Sequence, residues 1–254
     1  MIPREIIYNN EMDEKRVLIF SYFASKRGLD DTVGFSCDSI VKWCGYKINY
    51  NKDKINDQIA KSTLLLSQDK YIDIQKERIC RNNFILTKLN NEKFDVYNKF
   101  ALVYLNELDT IQNFKKYTTD VNRMSSSILL LVLSYVRVNM LRRQAEYFNH
   151  KSDKPEFCYR MYKDIEVDIG ISSRYISRSI KILCELDLIA ITTLPRWQDE
   201  YNNWHTEVTL FVNKYKYKDG GKLDDSYDYE QELRWGIDYI KEKKFLSKKF
   251  GQNI

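Results

Sequence analysis

The segment 164–183 constrains the fold more than any other part of the chain, because one glycine separates two helical patterns. Apolar residues at helical spacing end before Gly170 and resume with Ile176, Ile180 and Leu183 on one face. Glycine readily adopts the left-handed backbone conformation that ends a helix sharply. The spacing therefore predicts a helix over 162–169, a tight turn, and a second helix over 174–186.

The same order of elements occurs earlier in the chain. Three helical patterns and a pair of short extended patterns precede residue 90, and three helices and two strands recur about 120 residues later. By this alignment Lys54 and Arg174 occupy comparable places in the two third helices. The predicted helices and strands are 11–28, 36–43, 52–67, 71–74 and 84–86 in the first copy, and 125–143, 162–169, 174–186, 188–191 and 208–211 in the second.

Composition agrees with a mainly helical protein. Eight glycines and three prolines in 254 residues favour long helices with short loops over a turn-rich β-sandwich. We therefore expect an α+β fold, mainly α with small β-hairpins, in two tandem domains and a C-terminal helix over about 229–250. The expected boundaries are residues 1–120 for the first domain with a connector, 121–218 for the second, and 219–254 for the helical tail.

The outer face of the helix after Gly170 is cationic and polar. No acidic residue lies between Ser172 and Ile182, so this face suits the major groove of double-stranded DNA, where arginine pairs with guanine and serine or lysine holds phosphates. The alternative is a solvated surface helix without a partner. The residues predicted to contact DNA here are Ser172, Ser173, Arg174, Tyr175, Ser177, Arg178 and Lys181, and a serine of the pair Ser172 and Ser173 is also expected to cap the helix.

Basic residues of the first copy and of the loops give further DNA-binding candidates. In the first copy the lysines are mixed with Asp53 and Asp57, so DNA binding and homodimerisation are both open for that domain. In the long loop after residue 194, Trp197 and Trp204 are expected to form a cross-strand packing pair, and a stacking platform is the alternative. The candidates are Lys52, Lys54, Lys61, Lys76, Arg78 and Arg81 in the first copy and Arg196 in the second.

Signatures of enzymes and of metal sites are missing from the sequence. No phosphate-binding loop motif occurs, the five cysteines form no C-x-x-C pair, and His150 and His205 have the pattern of ordinary surface residues. We therefore expect no enzymatic activity, no metal and no cofactor. The free cysteines favour the cytoplasm, and the most apolar window, residues 128–138, is too short to span a bilayer, so no membrane association is expected.

At residues 169–178, with 183–189 after them, the chain resembles the winged helix-turn-helix superfamily. With two such units it resembles the tandem winged-helix replication initiators of plasmids, phages and mobile elements from low-GC Gram-positive bacteria. The resemblance implies binding to origin repeats, local opening of A·T-rich duplex, and recruitment of a host helicase or helicase loader without hydrolysis by the initiator. A transcriptional repressor of a mobile element and a protein-binding adaptor are the alternatives.

Overall fold

The structure is a computed structural model of the 254-residue chain. It describes residues 1–8, 13–74, 79, 83–90, 100–118, 124–140, 156–199, 202–218 and 222–250, and the side chains of the last helix as far as residue 242.

Helices form about half of the described chain. A 3-10 turn, Phe114–Lys116, follows the fifth of them. The helices are α1 (Arg4–Ile7), α2 (Lys15–Lys26), α3 (Cys37–Trp43), α4 (Ile55–Gln68), α5 (Leu105–Gln112), α6 (Ser126–Val138), α7 (Tyr162–Ile169), α8 (Ser173–Glu185) and α9 (Tyr229–Phe250).

The strands are short and pair only in antiparallel fashion. They are β1 (Ile2–Pro3), β2 (Thr32–Phe35), β3 (Ile72–Asp73), β4 (Ile85–Leu89), β5 (Phe100–Ala101), β6 (Cys158–Tyr159), β7 (Ile189–Leu194), β8 (Trp197–Gln198), β9 (Trp204–His205) and β10 (Val208–Asn213). The expected α+β class is therefore confirmed.

Two units share one order of elements. The first unit, residues 15–89, runs α2, β2, α3, α4, β3 and β4, and its sheet has the order β2-β4-β3. The second unit, residues 126–213, runs α6, β6, α7, α8, β7 and β10, and its sheet has the order β6-β10-β7. In both units the last strand lies in the middle of the sheet, so the repeat extends to topology.

The first strand of each sheet was not predicted from the sequence. Strand β2 has only four residues and contains Gly34, and β6 has only two residues. Strand β6 is too short to show a period-two pattern, and in β2 the alternation covers only four residues, one of them a glycine. Both strands depend on antiparallel pairing with the middle strand, β2 with β4 and β6 with β10, which is distant in sequence.

Several predicted helix limits were wrong. Helix α2, predicted over 11–28, runs from Lys15 to Lys26. Helix α4 begins at Ile55, so Lys52 lies in the turn before it and Lys54 is the residue that precedes its first turn. Helix α6 ends at Val138, where the N–H of Asn139 closes the last turn on the carbonyl of Tyr135. The sequence also predicts an extended segment over 94–105; its residues 94–99 lie outside the described residues, and Phe100–Ala101 form β5.

Burial also corrects the alignment of the two third helices. Helices α4 and α8 end at Gln68 and Glu185, and each is followed two residues later by a left-handed residue, Lys70 with φ 62° and Asp187 with φ 55°. The buried residues keep the same shift of 117, since Ile59, Thr63 and Leu66 correspond to Ile176, Ile180 and Leu183. Asp57 rather than Lys54 is therefore the counterpart of Arg174.

Helix α6 joins the two units into one hydrophobic core. It packs against α2 of the first unit and α8 of the second, and α1 and α5 also contact it. All of its residues except Ile128 are buried, and Leu129, Leu130 and Val132 have no exposed surface. A helix that is apolar on every side requires neighbours on every side. Both units therefore depend on α6.

The C-terminal helix α9 covers the outer face of the second unit's sheet. Leu233, Ile237 and Ile240 pack on Phe157 and Leu210, as their helical spacing predicts. At Gly236 the helix lies so close that an added Cβ would meet the Leu210 side chain at 2.8 Å. The glycine therefore sets the depth at which α9 packs.

Within the described part of the chain, no helix has the length and apolar character needed to cross a membrane.

A buried ion pair joins α5, α6 and β10. The guanidinium of Arg137 donates to both carboxylate oxygens of Glu107, at 2.6 and 2.7 Å, and its Nε donates to Asn213 Oδ1 at 2.9 Å. Both charged side chains are more than nine-tenths buried. The two charges are therefore compensated by each other and by hydrogen bonds to neighbouring polar atoms.

Replacing Glu107 with alanine should lower the free energy of unfolding by about 3–5 kcal/mol, because the substitution leaves a buried guanidinium without its carboxylate. Urea denaturation followed by circular dichroism measures the change. The matched control is Lys61→Ala, which breaks the solvent-exposed pair of Lys61 with Asp53. Equal loss in the two variants would contradict a special role for the buried pair.

Candidate nucleic-acid interface

The second unit's third helix, α8, divides into a buried face and an exposed cationic face. Ile176, Ile180 and Leu183 are at most 1 % exposed, as the helical spacing predicts. The side chains of Arg174, Ser177 and Lys181 lie on the exposed face, and Tyr175 and Arg178 are half-buried at its edge. The structure therefore places most of the predicted contact residues on one surface.

The turn before α8 has the predicted geometry. Gly170 ends α7 in the left-handed conformation, with φ 69° and ψ 15°, and its N–H donates to the Glu166 carbonyl at 2.9 Å. Ile171 is partly buried against the core, and α8 begins at Ser173. Residues 170–172 are therefore the whole connection between the two helices. In the first unit the corresponding connection is much longer, residues 44–54.

Helix α8 is capped by a carboxylate, not by a serine of the Ser172–Ser173 pair. The Ser172 side chain makes no capping hydrogen bond. Instead Glu166, on α7, accepts a hydrogen bond from the Ser173 N–H at 3.1 Å and another from the Ser173 hydroxyl. The predicted serine cap is therefore wrong, and the Ser173 hydroxyl is engaged inside the protein.

The hydrogen bonds from Ser173 lower the pKa of Glu166, the side-chain bond having the largest effect. A negative carboxylate beside the first turn of a helix also interacts favourably with the unpaired N–H groups of that turn. In the sequence, the capping residue is the glutamate seven positions before Ser173. Helical spacing alone does not show that this side chain caps the next helix.

Within α8 the cationic face has one acidic neighbour, Glu185. Lys181 forms an ion pair with Glu185 at 3.8 Å, one turn further along the exposed end of α8. Within the described residues, Arg174 has no carboxylate or hydrogen-bond partner. The first two turns of α8 therefore present the Arg174 charge and the Ser177 hydroxyl to the solvent.

The corresponding surface of the first unit has mixed charge. Lys61 pairs with Asp53 at 3.0 Å, and the Asp53 N–H donates to the Asp57 carboxylate at 2.9 Å. Lys52 and Lys54 are exposed beside these two carboxylates. The shift of 117 places Asp57 where the second unit has Arg174. The predicted contacts Lys76, Arg78 and Arg81 lie outside the described residues.

A small hairpin, strands β8 and β9, projects from the end of the β7–β10 pair. Trp197 is opposite His205, and Gln198 is opposite Trp204. The Trp197 ring stacks on the His205 ring with centroids 4.1 Å apart. The predicted packing of Trp197 against Trp204 is therefore wrong, because the register places them on opposite faces of the hairpin.

His205 is a buried residue, not the surface residue expected from the sequence. It is 6 % exposed, and its Nε2 lies 3.1 Å from a carboxylate oxygen of Asp199, which is also buried. Asp199 accepts a further hydrogen bond from the Asn203 N–H at 2.8 Å. Asp199, one of the acidic residues of this loop, therefore stabilises the hairpin through these hydrogen bonds.

The other face of the hairpin is exposed. The Arg196 guanidinium lies 4.7 Å from the centre of the Trp204 ring, and Trp204 is 56 % exposed. The sequence favoured packing for Trp204, with a stacking platform as the alternative, and it did not predict this cation–π contact. Arg196 is thus held in place by an aromatic ring on the solvent side.

Among the residues described, histidine, cysteine, aspartate and glutamate side chains form no group of three that could hold a metal ion.

No protein-family model, curated protein or solved structure was found to match this chain.

The capping carboxylate gives a pH-dependent prediction. Because folding lowers the pKa of Glu166, its contribution to stability should be present above the usual glutamate pKa and lost as the pH falls through the lowered value. The difference in unfolding free energy between the native chain and Glu166→Gln should therefore be largest near neutral pH and shrink in acid.

Urea titrations over a series of acidic pH values measure this difference. The control is Glu207→Gln, at an exposed residue before β10. A difference between the native chain and Glu166→Gln that stays constant across the acidic range would contradict the role of the Glu166 charge.

Proposed function

We propose that the chain binds double-stranded DNA in a sequence-specific manner, with α8 as the recognition helix of a winged helix-turn-helix unit. The observation that carries the proposal is the cationic outer face of α8, joined to α7 by the turn of residues 170–172. In DNA-binding helix-turn-helix proteins, two helices are joined by such a short turn and the second helix lies in the major groove.

The topology of both units supports this assignment. Each has a helix, a strand, two helices and two further strands, and the last strand lies between the other two. That order is the one expected of a winged helix, in which the loop between the last two strands is the wing. In the second unit the β8–β9 hairpin occupies the wing position.

The residue types on α8 suit base and phosphate contacts. Arg174, in the first turn, has the length and the planar guanidinium needed to pair with a guanine edge, and Arg178 follows one turn later. Ser177 lies between them, and Lys181 is in the third turn, where a lysine can hold a phosphate. Residues near the N-terminus of a recognition helix contact bases most often.

The two units are proposed to have unequal roles. The ion pair and carboxylates at the start of α4 reduce its positive charge, so the first unit suits phosphate contacts by Lys52 and Lys54 or pairing with a second copy of the chain. Sequence reading is assigned to the second unit.

For the biological role we propose initiation of replication of a plasmid, phage or other mobile element, by binding alone and without hydrolysis by this chain. The sharing of α6 is compatible with it, because phosphate contacts by the first unit would then lie at a fixed position relative to the site that the second unit reads. A host helicase or helicase loader is the expected partner. The adaptor alternative loses support, because Asp199 of the acidic loop is buried inside the hairpin.

Replacing Arg174 or Arg178 with alanine should weaken specific binding by about 1–3 kcal/mol, the range for a bidentate contact to guanine. Fluorescence anisotropy with duplex DNA from the chain's own upstream region measures the affinity, at two salt concentrations. The control is Lys26→Ala, which removes an exposed charge at the end of α2. Unchanged affinity in both arginine variants would exclude α8 as the recognition helix.

A footprint of the specific complex separates the proposed role from its alternative. Direct repeats beside an A·T-rich tract support replication initiation. An inverted repeat over a promoter, with half-sites one helical turn apart, supports a repressor instead. Absence of salt-dependent DNA binding would contradict the proposal as a whole.

A further inference from the structure

The outer face of the β8–β9 hairpin carries an exposed aromatic ring with a cation against it. Trp204 is 56 % exposed although the Arg196 guanidinium lies 4.7 Å from its ring centre. One face of the indole is occupied by the cation, so the exposed area must come from its edge and its second face. More than half of the Trp204 surface is therefore accessible to a planar ligand.

The hairpin holds this ring in a fixed place before any ligand binds. The Asp199 N–H donates to the Asn203 carbonyl, and the Asp199 carboxylate accepts from the Asn203 backbone and side chain and contacts His205. Asn202 turns the chain with φ 62°. Trp197, on the inner face, packs on the second unit's outer core. These hydrogen bonds and this packing therefore stabilise the hairpin that carries Trp204.

We propose that Trp204, with Arg196 behind it, is a stacking site for an unpaired DNA base. This inference rests on the proposed DNA binding. It adds a second form of DNA as a ligand, a duplex whose strands are locally separated. A base within a duplex is covered by neighbours on both faces, so only a base that has left the stack offers a face to the indole.

Charge favours a nucleic acid as the ligand over a protein segment. Arg196 is exposed, it supplies a positive charge next to the ring, and its guanidinium can hold the phosphate of the nucleotide whose base stacks on Trp204. Asp199, the acidic residue of the hairpin that the structure describes, is buried and makes its hydrogen bonds internally, whereas Glu207, beyond β9, is exposed. The second unit would then read paired DNA with α8 and hold an opened base with the hairpin.

The test compares two DNA probes that differ only in pairing. One is a fully paired A·T-rich duplex, and the other is the same duplex with a short central stretch of mismatched bases. The full-length chain should bind the mismatched probe more tightly. Trp204→Ala should reduce that affinity by about 5- to 100-fold, the range for loss of one base stack, and should leave binding to the paired duplex nearly unchanged.

Two matched variants sharpen the result. Trp204→Phe keeps an aromatic ring and should retain a large part of the preference for the mismatched probe. Trp235→Ala removes another partly exposed tryptophan, on α9, and should have no effect on either probe. Equal unfolding midpoints for all variants establish that the hairpin still folds.

The outcomes separate the two proposals. If the native chain binds both probes and Trp204→Ala keeps the preference, or weakens both probes equally, the stacking site is excluded while DNA binding by α8 stands. If the native chain binds neither probe, DNA binding fails and the stacking site fails with it. We expect Trp204→Ala to lose the preference for the mismatched probe, whereas Trp204→Phe and Trp235→Ala keep it.

Discussion

The burial of α6 on every side is the constraint on which the rest of the structure depends. A helix with almost no exposed residue contributes its whole apolar surface to folding, but it is stable only where neighbours surround it. Helices α2 and α8 cover it from the two units, and α1 and α5 contact it as well. Its one buried charge, Arg137, is held by Glu107 from α5. The position of α8, and of the surface proposed to contact DNA, follows from this packing.

The repeat preserves the scaffold while the exposed residues differ. The shift of 117 residues holds for the buried positions of the third helices, for their ends and for the left-handed residues after them. At the exposed positions Asp57 stands where the second unit has Arg174. The sheets differ in their outer faces too, since α9 covers the second while Leu86 of the first is 67 % exposed.

Much of this fold was predictable because its signals are local. Gly170, the apolar spacing in α8 and the spacing of α9 lie within single elements, and the structure confirms each. The short strands β2 and β6 were missed because only distant pairing stabilises them. The exposed face of α8 was found by its periodicity. The Glu166 cap, the buried His205 and the exposed Trp204 depend on contacts between elements or on strand register, which helical spacing does not encode.

The sharing of α6 also bears on the order of events during synthesis. Residues 15–89 leave the ribosome before residues 126–138, so the surface of α2 that packs on α6 has no partner until the later segment emerges. Until then the nascent chain carries an uncovered apolar patch, the kind of surface that chaperones bind. The first unit thus completes its packing only when α6 of the second unit has been synthesised, so the two units complete their folding together.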